Sequence, residues 1–147
     1  VTNYGPWELF AVLAYTNHTA GNTRIFGSWV GAPDNWSISW INLTRAFNIG
    51  TSSTLDSCLA LTNRYFVLNA VFQVGSSTIY TNNVPGVISG AGTVLLADGL
   101  RIALSDTATL NSQMSLACLF VFTNQVLSAS ARLAAFQYCS NRFAIVP

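Results

Sequence analysis

The sequence predicts an all-β fold: an antiparallel β-sandwich of jelly-roll or Ig-like topology, about eight or nine strands, with one short helix possible near 127–138. Three observations carry this. Apolar residues recur with a period of two over most of the length. Turn-forming clusters of Gly, Pro, Asn and Asp fall between these stretches. Two runs are apolar on both faces, as strands covered on both sides would be. At 147 residues the chain is read as a single domain spanning 1–147, large enough to bury ~70% of its unfolded surface.

Near the N-terminus, Leu9-Phe10-Ala11-Val12-Leu13 is an apolar segment of strand length. In Asn35-Trp36-Ser37-Ile38-Ser39-Trp40 the alternation is clean and puts Trp36, Ile38 and Trp40 on one strand face. The phase slips at Ile41 and Leu43, which predicts a bulge or an edge near Trp40. Tyr65 to Phe72 and Leu116 to Phe122 are the doubly apolar runs. A hairpin is expected where Val71–Val74 meets Ser77–Tyr80 through Gly75-Ser76. Another joins Thr93–Ala97 to Leu100–Leu104 through Asp98-Gly99, a pair suited to positive φ at both central positions, with Leu95 facing Ile102. Further turns are expected at Gly31–Asp34, Asn48–Gly50, Asn82–Gly86 and Ser89–Gly92. Leu127, Ala131, Ala134 and Tyr138 fall at helical spacing, so a helix competes with a strand there.

Charge is the unusual property. Only 7% of residues are ionisable acids or bases, 51% are apolar, and lysine is absent; a soluble domain carries ~25% charge. The mean hydropathy is +0.43. Net charge is +1 and no two arginines are adjacent. A nucleic-acid binder needs a clustered basic stripe to displace counterions, so direct nucleic-acid binding is not expected. The dispersed arginines also argue against a polybasic membrane patch. The longest apolar run, Leu116 to Phe122, is far short of the ~18 residues of a transmembrane helix. The opening Val1-Thr2-Asn3 fits a matured protein or a segment of a longer chain.

No catalytic, cofactor or metal constellation is legible. His18 is the only histidine and sits in a polar, loop-like stretch, and there is no G-x-S-x-G elbow. Cys58, Cys118 and Cys139 contain no C-x-x-C and match no zinc spacing. They read as buried thiols, with one disulfide plus a free thiol as the alternative. Asp56-Ser57-Cys58 and Asp106-Thr107-Ala108 lack the glycine of an aspartic-protease loop. Gly90-Ala91-Gly92 lacks the Lys-Ser/Thr of a phosphate loop. No enzyme activity is therefore expected, and no cofactor.

The aromatics are the candidates for recognition. Trp7, Trp29, Trp36 and Trp40 offer large rigid surfaces that suit an interface or a sugar ring. The competing reading makes Trp36 and Trp40 core residues of one sandwich face. Acceptor sequons for glycosylation occur at Asn17, Asn35 and Asn42.

Sparse charge, Ser/Thr/Asn on the second strand face and no reactive cluster together suggest a structural subunit that packs against copies of itself. The expectation is a virion or extracellular location, as a viral coat-protein shell or projection domain with a host-surface glycan or receptor as a further partner. One alternative is a pilus or fibre subunit built by strand donation, with Leu9–Leu13 as donor. The other is a carbohydrate-binding β-sandwich module. A small outer-membrane barrel ranks last, because Tyr65–Phe72 and Leu116–Phe122 break the dyad pattern it requires.

Overall fold

A computed structural model describes residues 6–15, 23–27, 36–41, 46–51, 54–59, 64–73, 76–86, 100–102 and 114–145. Sheet I contains β1 (Trp7–Tyr15), β6 (Tyr65–Phe72), β7 (Thr78–Thr81), β8 (Val84–Pro85) and β10 (Met114–Phe122), in the order β10-β1-β6-β7-β8. Sheet II contains β2 (Thr23–Gly27), β3 (Trp36–Ile41), β4 (Ala46–Thr51), β5 (Thr54–Leu59) and β9 (Arg101–Ile102), in the order β5-β4-β3-β2-β9. All pairings are antiparallel. Helix α1 (Ala129–Arg142) follows β10. The expected all-β class, with one helix in the 127–138 region, is what the chain adopts.

The core follows from strand alternation. Trp7, Leu9, Ala11 and Leu13 of β1 and Phe66, Leu68, Ala70 and Phe72 of β6 meet Ile25, Phe26 and Ile38 of sheet II in the main cluster. Trp7 stacks on Phe72 with ring centroids 3.8 Å apart. The opposite face of β1 and β6 supplies Phe10, Val12 and Val67 to a second cluster, closed by Cys139 of α1 and by Ile145. Sheet I is therefore covered by sheet II on one side and by the helix on the other. This explains why β6 is buried at every position after Tyr65.

Helix α1 has clear end signals. Ser128 caps it, its Oγ accepting a hydrogen bond from the Ala131 amide at 3.2 Å. Arg142 in the last turn complements the negative end of the helix dipole. Beyond it Ala144 adopts φ 51°, and the Ile145 amide returns to the Ser140 carbonyl at 2.9 Å, a Schellman-type end without the usual glycine.

Several local expectations shift. The irregularity foreseen near Trp40 lies on the neighbouring strand, where the β2–β3 register jumps between Arg24 and Phe26. Asn48–Gly50, expected as a turn, is inside β4 and paired with β3 and β5. In the β6–β7 hairpin the Ser76 amide donates to the Gln73 carbonyl, and Val71 pairs with Thr78. Ser76 is thus on the strand side of the turn instead of at its centre. Leu116–Phe122 is not a strand buried on both faces: β10 ends the sheet and none of its residues is fully buried. Asn82 and Asn83 both have positive φ between β7 and β8, as a tight hairpin needs. Of the Thr93–Leu104 hairpin only 100–102 is described; its Leu95–Ile102 pair lies outside the described residues.

Candidate functional site

Among the described residues, a polar cluster centred on Glu8 sits under the helix. Glu8 alternates with core residues of β1 and so occupies the helix-covered face, where its side chain is 0% exposed. Four donors meet its carboxylate. Oε1 accepts from Arg132 Nε at 2.6 Å and from Asn69 Nδ2 at 2.9 Å. Oε2 accepts from the Leu127 amide at 2.8 Å and from Arg132 Nη2 at 3.1 Å. Arg132 Nη2 also donates to the Leu127 carbonyl at 3.0 Å, and its guanidinium lies 5.4 Å from the Tyr80 ring centroid. Asn69 Nδ2 reaches the Leu9 carbonyl at 3.0 Å, and its Oδ1 is buried without a hydrogen-bond partner.

The hydrogen bond to Glu8 pushes the Arg132 guanidinium above the ordinary arginine range, against the opposing effect of burial. A carboxylate with four donors and no solvent has no lone pair free for proton transfer. The cluster is a clamp holding α1 on sheet I. It was missed in the sequence because its charges are 124 positions apart. The available signal was Glu8 itself, an acid inside an apolar strand in a chain with only five acids.

A second polar grouping is set by the register of sheet II. Ile38 is fully buried in the inter-sheet core, so Ser37 and Ser39 occupy the opposite face of β3. The pairing Arg24↔Ser39, Ser39↔Asn48 and Asn48↔Ser57 places these four residues in one transverse row across β2, β3, β4 and β5. The next row is Arg101, Gly27, Ser37, Gly50 and Leu55. On the other side lie Ile41, Ala46 and Leu59. The Arg24–Ser39–Asn48–Ser57 row thus runs between the row from Arg101 to Leu55 and an apolar one.

The recognition candidates are placed unevenly. Trp7 is in the core, 1% exposed. Trp36 and Trp40 are in β3, two positions either side of Ile38. Trp29, Asn17, Asn35, Asn42 and His18 lie outside the described residues. Cys118 and Cys139 are free thiols; burial, and then the neighbouring Cys118, push the Cys139 thiol upward. The exposed aromatics Phe120 and Tyr138 meet edge to face at 67°, not as a flat platform. Leu9–Leu13, the proposed donor strand, is paired on both sides within its own sheet, by β10 and β6, which leaves it no edge to donate. No described helix is long and apolar enough to cross a membrane.

No protein-family model matches the chain. No curated protein matches it either. The fold is similar to solved structures. Trypanosoma rangeli sialidase aligns with a TM-score of 0.73 at 14% identity over 95% of this chain and 23% of that one. Carbohydrate-binding module CBM66 from Bacillus subtilis aligns with a TM-score of 0.55 at 9% identity, covering 84% of this chain and 78% of the module. Alginate lyase AlgAT5, of polysaccharide lyase family 7, aligns at 0.53 with 10% identity over 82% of this chain and 62% of the lyase. At these identities the likeness shows the β-sandwich fold. The chain spans about a quarter of the sialidase length, 23%. One expectation is corrected: the chain was read as non-enzymatic, yet the structures it resembles include sialidases and a lyase. A missing motif does not set it apart from enzymes. The structures named here lend no support to the coat-protein or pilus readings.

Proposed function

We propose that this β-sandwich binds carbohydrate on the face of sheet II turned away from the core. The observation that carries the reading is the row Arg24–Ser39–Asn48–Ser57. Sugars present hydroxyls that both donate and accept, and Ser and Asn do the same without the desolvation cost of a full charge. The similarity to CBM66, which covers most of both chains, supports the same reading.

The test is binding to a panel of immobilised oligosaccharides, followed by calorimetry on any hit. Asn48→Ala removes both amide partners and is expected to weaken binding about fivefold, the value of one net hydrogen bond near 1 kcal/mol. Ser37→Tyr adds bulk two positions from Ser39 on β3 and is expected to abolish binding while the thermal melt stays cooperative. A folded chain that binds no glycan, or hits indifferent to both substitutions, refutes the proposal.

A further inference from the structure

We infer that Cys118 and Cys139 form a thiol pair that a small-molecule disulfide of the glutathione type oxidises to a bridge, fastening α1 to β10. The covering of sheet I by the helix brings the two cysteines together. Cys118 pairs with Val12, and cross-strand partners share a sheet face. Val12 lies in the cluster beneath α1 with Phe10, Val67 and Cys139, and Cys118 packs against that cluster. Phe120, two residues beyond Cys118, is on the same face of β10. Its ring meets that of Tyr138 edge to face, with centroids 6.2 Å apart, and Tyr138 immediately precedes Cys139. That contact seats this turn of α1 against β10. The β1–β10 register also shifts between Val12 and Leu13, which pair with Cys118 and Leu116, so Ala117 is an extra residue beside Cys118. A bulge of this kind re-aims a neighbouring side chain.

Arg132 and Cys139 stand two helical turns apart, so one face of α1 presents both. Arg132 ties the early part of the helix to β1 through Glu8. The bridge ties the later part to the neighbouring strand. The two sulfurs differ in access: Cys118 is half-buried, whereas Cys139 is 1% exposed. Burial first, and then the charge of Cys118, push the Cys139 thiol up, so Cys139 senses its neighbour. This difference orders the chemistry. The Cys118 thiolate attacks one sulfur of the oxidant, forming a mixed disulfide and releasing a small thiolate that takes up the proton Cys118 gave away. Cys139, once deprotonated, attacks Cys118 Sγ; the mixed S–S bond breaks and the second small thiol leaves with the remaining proton. The protein thiols lose two electrons in all, and the small disulfide gains them.

The experiment incubates the intact folded chain in mixtures of reduced and oxidised glutathione, blocks the remaining thiols with N-ethylmaleimide and maps the peptides by mass spectrometry. The expected product of the oxidising mixture is a disulfide joining Cys118 to Cys139, formed equally in Cys58→Ser. Cys139→Ser is expected to stop with glutathione on Cys118, and Cys118→Ser to leave Cys139 unmodified. Closing a loop of about 20 residues is expected to raise the melting temperature by roughly 6–12 °C, reversed by excess reduced glutathione. If a serine variant does not fold, the peptide map of the native chain still decides. A bridge that uses Cys58, no bridge in the fully oxidising mixture, or a Cys118–Cys139 bridge that forms only in urea overturns the inference. None of these results bears on glycan binding, which its own assay tests.

Discussion

Replacing Arg132 by methionine tests whether the clamp under α1 holds the molecule together. Methionine keeps much of the apolar stem and deletes the guanidinium. Glu8, with a side chain 0% exposed, then faces only Asn69 Nδ2 and the Leu127 amide. Breaking a buried pair from one side costs about 3–5 kcal/mol. The two remaining donors place this case toward the lower end, about 3–4 kcal/mol. For a chain of this size each kcal/mol moves the melting temperature by about 2–4 °C, so a fall of about 6–16 °C is expected. Urea unfolding followed by circular dichroism measures the difference directly. The decisive comparison adds Glu8→Gln, which removes the stranded charge and keeps hydrogen-bonding capacity. The double variant is expected to be more stable than Arg132→Met alone, giving a coupling energy well above the error of the cycle. A single-variant loss below about 1 kcal/mol, or no rescue by glutamine, would show that the ion pair is not what fastens the helix.

Three further outcomes follow from the packing. Ala144→Gly relieves a left-handed residue at the helix end and is expected to raise stability by about 1 kcal/mol, read as a higher melting temperature. Trp7→Ala opens the core where the indole stacks on Phe72 and is expected to cost about 3–5 kcal/mol; a variant with unchanged stability would contradict its core position. The Cys139 thiol is raised in the folded state, so its contribution to stability is complete below the ordinary thiol range and is lost as pH rises through it toward the folded value. Urea midpoints are expected to fall between pH 7 and about pH 10, less so in Cys139→Ala. In alkylation followed by peptide mass spectrometry, Cys118 is expected to react before Cys139.

Strand alternation and apolar runs carried most of the architecture. Tyr65–Phe72 declared itself a doubly covered strand, and the spacing of Leu127, Ala131, Ala134 and Tyr138 marked the helix. The errors share a cause. Asn48-Ile49-Gly50 looks like a turn because its residues are polar and small, yet the same composition suits a strand face away from the core. Leu116–Phe122 looks fully buried because apolarity does not tell an edge strand from a central one; sheet order decides that. The polar row on sheet II could not be read from the chain because it exists only once four strands are in register. The residue types of its members, Arg24 with Ser39, Asn48 and Ser57, were visible one strand at a time.

The place of β1 bears on how a cell makes this protein. It is made before every other described strand but sits between β6 and β10, and the cation that neutralises Glu8 follows 124 residues later. Until that late segment emerges, the earliest strand has an unsatisfied acid and only part of its sheet. Synthesis broken off before Arg132 would therefore yield a chain that proteolytic quality control can distinguish from one that has gained the helix.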